Sequence, residues 1–264
     1  MCHGTRRTTH RKVVRQGHRF EIVKCRDCRF IYVQNILSDT FTPDQEAPES
    51  ILVKPRHRHI KRLCDHHFAD VRNAGGKPRV IEIGAGWGGL AQVFNEGADY
   101  SYTGFEPSRS RAGFCQSRGF DVRQELFRGG ESAGHADAVV IDNVLEHVEE
   151  PAALFEAAVS ALSPGGLLVV IVPNVRDVRQ LHPRWRNRHH WQPHCHINYF
   201  SSRDLMRLYR RHGMRSRFFG PRGADWRMLP RVVMDQLGLH AFGLNCYGVK
   251  PAASVDTAGN KADG

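Results

Sequence analysis

No run of 18 or more apolar residues occurs in this 264-residue chain, and the opening MCHGTRRTTHRKVVRQ contains no apolar stretch able to act as a secretory leader. A soluble, cytoplasmic protein without a membrane span is therefore expected. The seven cysteines are odd in number and scattered, unlike the disulfide frame of a small secreted domain. Reduced thiols or a metal site are expected instead. No internal repeat is present. Lysine is scarce: it supplies 7 of the 38 basic residues and arginine the other 31. The net charge of +11 suits an acidic partner such as a phosphorylated small molecule, a nucleic acid or an anionic membrane surface, although a coding bias toward arginine explains the skew equally well.

With 41% hydrophobic residues, the chain can bury one α/β core and a small attachment. Residues 1–34 read as a β-rich unit in which two short strands, around Phe20–Val23 and Phe30–Val33, flank Cys25-Arg26-Asp27-Cys28. Residues 35–77 read as a polar linker and a helix from Glu49 to Asn73, which would bury Ile60, Leu63, Cys64, Phe68 and Val71. From 78 to 250, strand-length runs at 79–83, 101–105, 138–141 and 167–172 alternate with helical patterns, as βαβ units of a parallel sheet do. Pro151 opens a helix to Leu162, Ser163-Pro164-Gly165-Gly166 turns the chain, and Ser201 with Asp204 caps a helix over 205–212. Residues 251–264 are expected to be disordered.

The segment Val80-Ile81-Glu82-Ile83-Gly84-Ala85-Gly86-Trp87-Gly88-Gly89-Leu90 is a strand, a glycine turn and a helix start. Missing Cβ atoms let a ligand touch the backbone there, and the helix start favours an anionic group. Gly84-x-Gly86-x-x-Gly89 fits a dinucleotide fingerprint, while Gly84-x-Gly86-x-Gly88 fits the looser pattern of S-adenosylmethionine sites. Glu82, an acid inside the strand, favours the second reading. Glu106, 22 positions after Gly84, suits either ligand, because a carboxylate can accept both ribose hydroxyls.

Taken in order, VIEIGAGWG, FEPS, VVIDNVLEHVEEP and LSPGGLLVVIVPN resemble class I S-adenosylmethionine-dependent methyltransferases, especially those similar to ubiquinone-biosynthesis O-methyltransferases. The resemblance covers about residues 78–250. It implies a Rossmann-like α/β fold, with a mostly parallel seven-stranded sheet whose last strand, at about Leu244 to Val249, is antiparallel. It further implies that Gly84, Ala85, Gly86 and Gly88 approach the methionine part of the cofactor, that Glu106-Pro107 holds the ribose, that Glu125 lies near the adenine, and that Asp142 and Asn143 lie at the reactive end.

Methyl transfer is an in-line displacement that a base assists when the acceptor is a hydroxyl. Glu146 and His147 follow the fourth strand of the sheet, at the carboxyl edge where open α/β sheets bind ligands, and His147 is the candidate base. In the resembling family an additional glutamate here helps to hold a divalent metal. Asn143 replaces it, which disfavours magnesium. The segment from Pro183 to Phe200 interleaves arginine, histidine and tryptophan and can clamp an anion, and its His196 and Phe200 match a His-x-x-x-Phe element of similar enzymes. His194, Cys195 and His196 cannot all face one zinc ion, being adjacent in sequence.

Cys25-x-x-Cys28 resembles half of a zinc ribbon, with Cys2 as a further ligand and His3 or His10 as alternatives; a structural zinc and two reduced thiols in a degenerate ribbon remain the two readings. The expected activity is methylation of a small-molecule hydroxyl, the acceptor being anionic in one version. Nucleic-acid methylation and a non-catalytic partner-binding module are the alternatives. Asp142-Asn143-Val144-Leu145 departs from the Asn/Asp-Pro-Pro-aromatic pattern of base-amine methylation. No pattern sets an oligomeric state.

Overall fold

The computed structural model describes residues 5–37, 46–130, 136–177, 181, 191–219 and 243–252. It opens with strands β1 (Arg7–Arg15) and β2 (His18–Cys25), joined by a tight turn at Gln16 and Gly17, which have φ of +48° and +78°. β3 (Ile31–Val33) pairs antiparallel with β2. Helices α1 (Pro55–His67) and α2 (Ala69–Asn73) follow. The chain then alternates through β4 (Arg79–Ile83), α3 (Gly89–Asn95), β5 (Ser101–Phe105), α4 (Arg109–Ser117), β6 (Val122–Arg123), β7 (Ala136–Asp142), α5 (Pro151–Ala161) and β8 (Leu162–Val172). It closes with β9 (Asn198–Tyr199), α6 (Ser202–Arg211), β10 (Arg215–Phe218) and β11 (Leu244–Val249).

The main sheet has the order β10-β11-β8-β7-β4-β5-β6. β11 runs antiparallel to both neighbours, and β4 to β8 pair in parallel, so the Rossmann-like α/β sheet has the seven strands and the antiparallel Leu244–Val249 strand that the motifs imply. Its central strands are apolar on both faces: Val139 and Ile141 join one core cluster, Ala138 and Val140 the other. Such a sheet must be covered by helices on both sides. On α6, the Ser201 N–H and Oγ–H both donate to Asp204 Oδ2, the cap read from the sequence.

Three expectations are corrected. The 49–73 helix begins only at Pro55, where proline loses no hydrogen bond, and it breaks at Phe68, leaving Val71 exposed. β8 starts at Leu162, five residues before the expected Leu167, because a register shift against β7 lets the Ser163–Gly166 segment run within the strand. The amino-terminal unit extends beyond the two expected strands around Cys25–Cys28, which are β2 and β3, to a four-stranded antiparallel sheet, β1-β2-β3-β9. β1 was missed because most of its side chains are exposed and basic, so it has no apolar alternation. β9 comes from the 191–200 segment, and the Arg207 guanidinium on α6 donates to the Cys28 carbonyl, so this sheet is tied directly to the main unit. No helix among the described residues is long and apolar enough to cross a membrane. Residues 253–264, the whole 183–190 basic segment and Cys2 lie outside the described residues.

Candidate active site

The turn after β4 is built by glycines that nothing larger could replace. Gly84 has φ +78°, and a Cβ there would stand 2.4 Å from Val144 Cγ2; Gly88, at φ +77°, caps α3 in the left-handed region. Gly86 differs: at φ +55° its Cβ position meets nothing within 4 Å, so the turn is open on that side. Gly89 lets α1 approach α3, since a Cβ would lie 2.4 Å from His57 Cε1 and 2.8 Å from the Leu52 carbonyl. Gly89→Ala is accordingly expected to destabilise the protein by about 1–3 kcal/mol, read as a lower midpoint in urea unfolding.

Glu106, buried just after β5, reaches across to this turn. One carboxylate oxygen accepts from the Gly86 N–H at 2.8 Å and the other from the Ser108 N–H at 3.0 Å. A carboxylate oxygen can accept more than one hydrogen bond, so each retains capacity for a ligand hydroxyl. Pro107 is half-buried beside it, and Glu125 is exposed just after β6, beyond β5 in the sheet order.

Glu82 is a buried acid within β4, and the Tyr102 hydroxyl on β5 donates to it. Burial pushes its carboxyl well above the usual range, opposed by the Tyr102 bond and reinforced by the Asp142 and Glu106 charges. A carboxyl raised in this way keeps its proton in the folded chain while the unfolded chain loses it, so its effect on stability worsens as pH rises through and above the ordinary carboxylate range. Glu82→Gln keeps an acceptor for Tyr102 and removes the ionisation. Its melting temperature should exceed that of wild type by a margin that widens from acid to neutral pH, with about 1 kcal/mol giving roughly 2–4 °C at this size.

At the end of β7, Asp142 Oδ2 accepts from Arg56 Nε at 2.7 Å, and His57 Nε2 lies 3.5 Å away. His57 Nδ1 accepts from the Lys54 N–H, which leaves the ring's proton on the Asp142 side. Burial alone would raise Asp142, but the bonds to His57 and Arg56 hold it below the usual carboxylate range. Its other oxygen, Oδ1, is buried without a partner. Arg56 and His57 were not singled out from the sequence: they lie 86 and 85 positions before Asp142, and their only local sign is a basic pair just inside a proline-initiated helix. Asn143 follows, exposed and at φ +58°, a left-handed backbone that asparagine tolerates better than most side chains.

One turn further, Glu146 is fully enclosed, and neither carboxylate oxygen has a hydrogen-bond partner. Burial pushes it up to about 8, so it is mostly neutral at pH 7. His147 Nδ1 lies 2.7 Å from the Cys195 carbonyl, an acceptor that requires the proton on Nδ1. Nε2 therefore keeps its lone pair, 3.8 Å from Glu146 Oε1. Burial, helped by the Arg111 charge, lowers the pKa of His147 against the opposing Cys195 bond. His196 stands edge-on to His147, with ring centroids 4.9 Å apart. The Glu146 carbonyl accepts from the Ile197 and Asn198 N–H groups, which fixes the histidine segment over the end of β7.

Sequence reasoning named Glu146 with His147 and, separately, His196 as candidates; the structure brings the three side chains into one cluster. The glycine turn abuts it, since Val144 is the side chain that Gly84 must avoid. Cys25 and Cys28 are buried in the core beside Phe30. Among the described residues they belong to no group of three or more potential metal ligands, while Cys2 lies outside those residues.

A methyltransferase domain family model matches residues 55–216. The ubiquinone biosynthesis O-methyltransferase of Marinobacter nauticus is 31% identical over 119 residues, covering 41% of this chain and 49% of that protein. The C-methyltransferase NovU of Streptomyces niveus is 25% identical over 206 residues, covering 74% of this chain and 46% of that protein. The chain thus spans about half the length of these curated relatives. The solved plantazolicin methyltransferase BpumL, in complex with SAH, superposes with a TM-score of 0.50 at 13% identity, covering 75% of this chain and 91% of that one.

Proposed function

Because this chain belongs to the methyltransferase domain family, we propose that it transfers a methyl group from S-adenosylmethionine to a hydroxyl of a small-molecule acceptor. The observation that carries this reading is the contact between two loops at the carboxyl edge of adjacent parallel strands: the Glu106-capped glycine turn after β4 and the Glu146-His147 turn after β7. The donor set fits the cofactor. Glu106 offers a fixed carboxylate to vicinal hydroxyls, Gly86 leaves open space beside the backbone, and Asp142 keeps a buried oxygen to accept from a cationic group.

When bound, S-adenosylmethionine supplies a methyl carbon on a sulfonium leaving group. The protein's own part is alignment, exclusion of water and removal of the acceptor proton. His147 Nε2 is the atom for that proton, because Nδ1 is committed to the Cys195 carbonyl. His196 and the 191–197 segment wall this nitrogen, and buried Glu146 keeps the pocket short of net negative charge. Arg56 and His57 act as positioning residues, holding Asp142 charged at the cofactor's reactive end.

The test is a screen of hydroxylated small molecules with methyl-labelled S-adenosylmethionine, followed by assignment of the methylated atom. A methyl ether supports the reading. Methyl on carbon, or turnover restricted to nucleic acid, overturns the acceptor assignment.

A further inference from the structure

Leu145 to Val148, the turn that carries Glu146 and His147, lies outside helix and strand, so its carbonyls have no ladder of their own to supply donors. One short strand supplies them. The Leu145 carbonyl accepts from Asn198 Nδ2 at 3.1 Å, and the Val148 carbonyl accepts from the same nitrogen at 2.6 Å. Between these two, the Glu146 carbonyl accepts from the Ile197 and Asn198 N–H groups at 2.8 and 3.1 Å. In the opposite sense, the His147 ring donates through Nδ1 to the Cys195 carbonyl. Asn198 is buried, and because both partners of its side chain are carbonyls, the NH2 end must face the turn and spends both protons there.

We propose that Asn198 is a positioning residue for the methyl-transfer step. By holding the Leu145 and Val148 carbonyls it fixes the His147 ring with Nδ1 on Cys195 and Nε2 left as the accepting nitrogen. Through β9 it also makes the amino-terminal sheet part of the active site. The inference rests on reading His147 as the base.

The connection from that sheet to the turn is continuous. The Val33 N–H at the end of β3 donates to the Ile197 carbonyl at 2.8 Å, and the Ile197 N–H donates in turn to the Glu146 carbonyl. β3 pairs Ile31 with Tyr199 and Tyr32 with Asn198 itself. On the other side, the Val175 N–H after β8 donates to the Phe200 carbonyl at 2.8 Å. Residues 197–200 are thus pinned between β3 and the end of β8, and a pinned segment is a firm support for a turn. The side chain of Asn198 is the part of this support that substitution can remove without breaking the backbone bonds. A misplacement of about 1 Å at a reacting group can cost about a hundredfold in rate, so a small relaxation of the turn is enough to matter.

Asn198→Leu tests the proposal, because leucine has nearly the shape of asparagine and no donor. In the full chain, kcat is expected to fall about ten- to a hundredfold with S-adenosylmethionine affinity within about threefold of wild type. The ring-nitrogen NMR signals of His147, assigned by their loss in His147→Gln, should change from the single Nδ1–H tautomer to a mixture. Tyr209→Phe is the control for a merely structural loss. The Tyr209 hydroxyl is buried between the Leu168 and Cys246 carbonyls, so removing it should lower the melting temperature and leave the tautomer and kcat as in wild type. An unaltered His147 ring in Asn198→Leu, or the same change in Tyr209→Phe, would overturn the part of Asn198. The tautomer needs no acceptor, so an altered ring with unaltered kcat overturns instead the base on which the inference rests. Should Asn198→Leu not fold, exchange of the Asn198 side-chain amide protons in wild type decides: slow exchange supports the proposal, and exchange as fast as that of an exposed asparagine overturns it.

Discussion

Glu106→Ala is expected to weaken S-adenosylmethionine binding by about a hundredfold or more in calorimetric titration. Hydrogen bonds to a charged acceptor contribute roughly 1.5–3 kcal/mol each, so losing two costs about 3 kcal/mol or more, and each 1.4 kcal/mol is tenfold. The variant also strips the Gly86 and Ser108 N–H groups of their acceptor, which loosens the turn itself. Glu106→Gln should be nearly as poor. Its amide has a single accepting oxygen, and its NH2 would face one of those two backbone donors. A Gln variant that binds normally would show that the Glu106 carboxylate does not hold the ligand.

His147→Ala is expected to lower turnover by about 100- to 10,000-fold, the usual contribution of a general base, with cofactor affinity within about threefold of wild type. The split between rate and affinity is the informative part. His147 sits after β7, whereas the cofactor reading places ribose contact at Glu106 after β5, so the two variants should fail in different measurements. Loss of cofactor binding in His147→Ala would mean that its bond to the Cys195 carbonyl holds the site's architecture and that the proton goes elsewhere. His147→Gln, which retains a donor for that carbonyl, separates the two outcomes.

The parts of the fold that were legible in the sequence are those where one local signal dominates. Glycines at Gly84 and Gly88 announce a turn that needs positive φ, Pro151 starts α5, and Ser201 with Asp204 starts α6. The doubly apolar strands read directly because both faces are buried. The amino-terminal sheet was only half legible. β2 carries the buried Phe20, Ile22 and Val23, while β1 opposite shows the solvent mostly basic and threonine side chains with no apolar rhythm. β9 is too short to read alone and exists through its partner Ile31–Tyr32.

At the site, residues brought close along the chain were legible and residues brought close across it were not. Glu146 and His147 are adjacent, and Glu106 lies at a spacing set by one βαβ unit. The Arg56 and His57 contacts with Asp142 depend on α1 folding back over the turn, which Gly89 permits by having no side chain. Tyr102 as partner of Glu82 likewise depends on the parallel register of β4 and β5. His196 was singled out by a resemblance and not by spacing, and its proximity to His147 was not legible at all. Its physical basis is the pair of backbone bonds to the Glu146 carbonyl.

The central claim is that the glycine turn and Glu106 hold S-adenosylmethionine. Titration of the purified chain with S-adenosylmethionine, and separately with NAD, tests it most directly. The account predicts saturable one-to-one binding of S-adenosylmethionine and none of NAD; binding of NAD alone, or of neither, would contradict it.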